Sequence, residues 1–193
     1  MDRVELWKQI TTDTELDRYS GRILLVNSAE FPALAKFIDT TFRSRTILYY
    51  SIQRSVGFIK EQCKDRSLFR HTIFVDCVSF YLDKDDPEIN FFYEEPPQDV
   101  PSLIRMLSKY SDVDSDVIVF DSITQFTEFV DPASTARMLE TILEFIQDDI
   151  LLSGKLFIFI ASSQHGSTKR IPRTFFDSVL RLDTIPDTES WTD

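Results

Sequence analysis

Glycine is scarce in this chain: four residues in 193, the widely separated Gly21, Gly57, Gly154 and Gly166. A loop that cradles phosphate with converging backbone N–H groups needs clustered glycines, normally followed by lysine and Ser/Thr. No stretch meets that requirement. Histidine and cysteine are scarcer still, and His71, His165, Cys63 and Cys77 show neither Cys-x-x-Cys nor His-x-x-x-His spacing. No metal site is therefore expected, and the cysteines read as two structural thiols in a reducing compartment. Ser122, Ser162 and Ser163 lack the G-x-S-x-G surroundings of a nucleophile elbow, so hydrolase chemistry is not expected.

Long hydrophobic runs are missing too. The longest strongly apolar stretch, Leu156 to Ala161, is far too short to cross a bilayer. Met1 to Ile10 carries Asp2, Arg3, Glu5 and Lys8, which leaves no apolar leader core. Positive charge is in deficit, with 21 Lys and Arg against 32 Asp and Glu and a net charge of -11. Such a surface repels polyphosphates and anionic membranes except where basic residues gather. The expectation is one intracellular domain over 1–193, in cytoplasm or nucleus, with no membrane contact and any nucleic-acid contact local.

What the chain does have is alternation. Near-continuous apolar runs, as expected for strands buried on both faces, occur at Arg22–Val26, Thr46–Ile52, His71–Ser79, Asp116–Ile123 and Lys155–Ser162, with a shorter edge candidate at Ser178–Leu182. Between them lie helical periods. Phe31, Leu34, Ala35, Ile38 and Phe42 follow one face, with Pro32 in the first turn; Phe58, Ile59 and Cys63 follow Ser55 as N-cap; Leu103, Ile104 and Leu107 follow Pro101. The clearest helix opens at Asp131-Pro132 and runs through Met138, Leu139, Ile142, Phe145 and Ile146 toward Gly154. Strand-helix alternation predicts right-handed crossovers, hence an α/β fold with a mostly parallel central sheet and helices on both faces. The least regular stretch, about 83–100, sets acidic residues around Phe91-Phe92-Tyr93. It reads as a solvated excursion, either plain surface or a docking segment.

Asp121 closes the run Val117-Ile118-Val119-Phe120 and precedes Ser122, which puts it at the carboxyl end of a central strand, where open α/β sheets bind ligands. A magnesium-holding aspartate of a nucleoside triphosphatase stands in such a place, and so does many a turn aspartate. The expected companion, a phosphate cradle after the first strand, is replaced by Asn27-Ser28-Ala29-Glu30-Phe31-Pro32. Glu30 repels phosphate and Pro32 has no N–H to give. Asp76 sits inside the third strand without the acidic pair a phosphoacceptor site needs. The one basic cluster, Lys169, Arg170 and Arg173, lies after the fifth strand and reads either as a solvated loop or as the place where an anion or nucleic-acid strand is met.

The order of these pieces resembles the RecA-like ATPase superfamily, in particular its KaiC and RadA branch. Thr14-Glu15-Leu16-Asp17-Arg18 is similar to the stretch preceding the first strand there, and Arg22–Val26 stands where the strand entering the phosphate loop belongs. Ile47 to Gln53 is similar to the second strand, with Gln53 at the position of the water-activating glutamate. Val117–Ser122 matches the magnesium-binding strand, followed by a long helix at 132–153 and an apolar strand at Leu156–Ala161. Phe176–Leu182 resembles the closing strand after a loop that contacts DNA in the recombinases, where this chain has Lys169, Arg170 and Arg173.

The resemblance implies a RecA-like, P-loop-type core without a functional P-loop. Its Walker motifs are degenerate, with Asp121 and Ser122 as the relic magnesium position and Gln53 as the relic glutamate position. It implies a pseudo-ATPase, not an enzyme and without cofactor. The role implied is that of an interaction or regulatory subunit beside another RecA-like chain, as a recombination and repair mediator or in an Elongator-type accessory role. Two alternatives are an ATP-binding protein whose site another subunit completes, and a single-strand nucleic-acid binder using the 165–173 loop, with Phe175 and Phe176 read either as stacking groups or, in preference, as core.

Overall fold

The computed structural model describes residues 21–27, 30–62, 70–80, 91–127, 131–162 and 171–182. Within them, seven strands build one sheet: β1 (Gly21–Asn27), β2 (Ile47–Ser51), β3 (Thr72–Asp76), β4 (Phe91–Tyr93), β5 (Val117–Asp121), β6 (Leu156–Ser162) and β7 (Ser178–Leu182). Their order is β4-β3-β2-β5-β6-β1-β7 and every pairing is parallel. The helices are α1 (Phe31–Thr41), α2 (Val56–Gln62), α3 (Val100–Lys109), the short α4 (Thr124–Thr127) and α5 (Pro132–Asp148), with a 3-10 turn at Arg173–Phe175.

Handedness then sorts the helices. The crossovers β1 to β2 and β2 to β3 run toward β4, whereas β4 to β5 and β5 to β6 run toward β7. Right-handed connections in opposite directions must lie on opposite faces. Accordingly α1 and α2 cover one face, where Leu34, Ile38 and Ile59 pack on Leu25, Tyr49, Val119 and Ile158. On the other face α3 and α5 set Leu107, Leu139 and Ile142 against Leu24, Leu48, Ile118 and Phe157. The unbroken apolar strands follow from this double covering.

Aromatic residues tie the middle strands together. Tyr50, Phe120 and Phe159 stand opposite one another in register on β2, β5 and β6. Tyr50 stacks on Phe120 at 5.0 Å between centroids and Phe120 on Phe159 at 5.3 Å, both nearly coplanar.

Two segments depart from the sequence reading. Phe91-Phe92-Tyr93, read as part of a solvated excursion, forms the edge strand β4, because Phe91 stacks on Phe74 of β3 at 5.3 Å and the backbone pairs with β3. The long helix ends at Asp148 instead of running on to 153. Asp149 leaves helical geometry and its carboxylate accepts the N–H groups of Leu151 and Leu152 at 2.8 and 3.2 Å, which folds the next residues into turns.

Candidate functional site

β2 and β5 are neighbours whose onward connections leave in opposite directions, which opens a crevice at their carboxyl ends. Asp121 stands in it as the last residue of β5 and is fully buried. Its carboxylate accepts the Tyr49 hydroxyl at 2.6 Å and the Arg54 guanidinium, whose Nη1 lies 2.6 Å from Oδ1 and also reaches Oδ2. Burial alone would lower the pKa of Arg54; the charge and hydrogen bonds of Asp121 more than offset it and leave it raised. The guanidinium also lies 5.2 Å over the ring of Phe31, the first residue of α1. Arg54 thus bridges the end of β5 and the start of the helix that follows β1.

The backbone holds that geometry. The Asp121 carbonyl accepts the N–H groups of Ile52 and Gln53 at 2.7 and 3.2 Å, and the Ser51 hydroxyl donates to the Arg54 carbonyl. Gln53, at the expected glutamate position, is half-buried and touches Asp121 through its backbone N–H. Ser122, joined to Asp121 by a cis peptide bond, is buried and accepts the Thr124 N–H at 3.1 Å, while the Thr124 hydroxyl accepts the Ser162 N–H at 2.9 Å. The Ser122 side chain thus shapes the turn into α4.

At the head of α1 two backbone donors are engaged within the turn itself. Ala33 and Leu34 donate to the Glu30 carbonyl at 3.1 and 3.2 Å, and Pro32 has no N–H. Only residues 28–30 join β1 to α1. Asp76 is fully buried and its carboxylate accepts three N–H groups, from Val56 at 2.9 Å, Val78 at 2.8 Å and Ser79 at 2.9 Å. It fixes the start of α2, together with the Ser55 hydroxyl that accepts the Phe58 N–H at 3.1 Å.

The basic cluster is only partly in view. Arg173 is exposed in the 3-10 turn, and Lys169 and Arg170 lie outside the described residues. Phe176, read as core in preference to a stacking group, is buried and packs edge-on against Phe159 at 5.6 Å. Cys77 is a free, buried thiol with Sγ 3.5 Å from Met106 Sδ; Cys63 lies outside the described residues. Among the described residues no three His, Cys, Asp or Glu side chains are grouped to hold a metal ion.

Sequence reasoning found Asp121, Ser122 and Gln53 but not Arg54 or Tyr49. Arg54 directly follows Gln53, so its nearness to Asp121 was readable once β2 and β5 are paired. Tyr49 needed the register itself, which sets it opposite Val119 and so on the same face as Asp121.

No family model matches the chain and no curated protein matches its sequence. Among solved structures it is similar to the crystal structure of the RadB recombinase, with a TM-score of 0.52 and 15% identity, covering 91% of this chain and 81% of that one. The fold is RecA-like. The segments matched to that order by sequence, Arg22–Val26, Ile47–Gln53, Val117–Ser122, Leu156–Ala161 and the closing strand, lie side by side in the sheet. No helix among the described residues is long and apolar enough to cross a membrane.

Proposed function

We propose that this chain is a non-catalytic RecA-like protein, a pseudo-ATPase that serves as an interaction or regulatory subunit alongside another RecA-like chain. The observation that carries the reading is the occupation of Asp121 by Arg54. A magnesium ion needs free carboxylate oxygens and brings its own positive charge; here the guanidinium supplies that charge and claims both oxygens. A metal would have to displace a cation already seated on the carboxylate and stacked on Phe31.

The head of α1 supports the same reading. Phosphate binding there would need N–H donors, of which those of Ala33 and Leu34 serve the Glu30 carbonyl and Pro32 has none, next to a side chain of like charge. Gln53 carries an amide, which cannot take a proton from water as a carboxylate can. Among the described residues, Arg54 on Asp121, the Glu30-Phe31-Pro32 helix head and the Gln53 amide favour a rigid scaffold over turnover. The RecA-like fold and the RadB likeness favour a place in recombination or repair, and an Elongator-type accessory role is the other setting in which such a subunit fits.

Purification of the protein at native abundance tests this reading. The expected result is a stable complex containing a second RecA-like chain; a lone monomer without a partner contradicts it.

A further inference from the structure

The α3/α5 face carries a feature the crevice does not explain. Between the amino-terminal halves of these helices runs an open groove of about 650 Å³. Val100, Pro101 and Ile104 of α3 and Met138 of α5 supply its apolar surface, while Val100 and Met138 rest on the buried core beneath. Its charged lining residues are Arg105 and Arg137, both exposed, one on each helix. Among the described residues no carboxylate lines it, on a chain whose net charge is -11. Asp99, which attracts Arg105, has its own carboxylate engaged by the Ser102 N–H at 2.8 Å.

We propose that this groove docks an acidic amphipathic helix of a partner protein. The occupant's backbone is the first argument. The described residues that wall the groove all lie on helices and offer no strand edge, so an occupant must satisfy its own peptide groups, which a helix does. Its apolar face is the second: Ile104, Met138 and Pro101 gain by burial against aliphatic side chains at i, i+3 or i+4 and i+7. Charge is the third. Arg105 and Arg137 line the groove from different helices, so carboxylates bordering the occupant's apolar face have a guanidinium of each helix to meet. A nucleic-acid strand would pair with the arginines but leave phosphates over an apolar floor. A second copy docked face to face would set arginine against arginine.

The proposal rests on the reading of the chain as an interaction subunit and names the chemistry of its partner. The test uses the full chain and two fluorescein-labelled helical peptides with the same leucine stripe, one flanked by glutamates and one by lysines, followed by fluorescence anisotropy. The expected result is saturable binding of the glutamate peptide that weakens about tenfold in Arg105→Glu/Arg137→Glu, as two lost exposed ion pairs predict, while the lysine peptide binds that variant more tightly than wild type. Absence of saturable binding, or equal affinity for wild type and variant, overturns the proposal. Retention of a co-purifying RecA-like partner by the same variant also overturns it and leaves the subunit reading standing, whereas absence of any partner from the wild-type protein is what would overturn that reading.

Discussion

Arg54 is where the chemistry of the crevice turns. Its side chain remains partly open to solvent while that of Asp121 is not, so the pair is anchored from the buried end. Removing the guanidinium leaves a carboxylate in the core with, among the described residues, only the Tyr49 hydroxyl to answer it. Arg54→Ala is therefore expected to destabilise the fold by roughly 3 kcal/mol, the scale for a buried ion pair that loses one partner. Urea denaturation measures this, and Arg54→Ala/Asp121→Asn should recover much of the loss because the orphaned charge is gone. An unchanged midpoint in the single variant contradicts the lock. At this scale the sequence was legible only in half: the carboxyl end of an apolar strand announced Asp121, but the cation that neutralises it depends on which strands pair.

Among the elements, the helix starts are the most local and so the most legible. Asp131 accepts the N–H groups of Ala133 and Ser134, both at 3.0 Å, and its hydrogen bonds to Ser134 hold its pKa below the ordinary carboxylate value. Asp99 does the same for α3 through Ser102, in a reciprocal capping box. A depressed carboxylate pKa contributes stability that is present above the unfolded value and lost as pH falls through the folded one. Asp131→Ala should thus lower stability at neutral pH, and the gap to wild type should close below pH of about 4. Circular dichroism melts at both pH values check it; a gap that persists in acid contradicts the cap. β4 was not legible, since three aromatic residues amid acidic neighbours carry no strand period, and only the stack of Phe91 on Phe74 and the ladder with β3 make them one.

For the whole molecule, alternation of apolar runs and helical periods sufficed to give the parallel sheet, because double covering forces both patterns. One face of that sheet also carries a pH signature. Burial, then the charge of Asp76, pushes the Cys77 thiol up to about 12, and burial likewise raises the Tyr50 and Tyr110 hydroxyls. The folded state keeps protons that the unfolded chain releases, so stability should fall as pH rises above the ordinary thiol value of about 8.5 and more steeply above about 10. Denaturation midpoints across alkaline pH measure the slope, and a flat profile contradicts it. The central claim is that the crevice holds an internal cation in place of a metal-bound nucleotide. Calorimetric titration of the protein with ATP and magnesium tests it most directly: the account predicts no saturable heat, and saturable, magnesium-dependent binding that Asp121→Ala removes contradicts it.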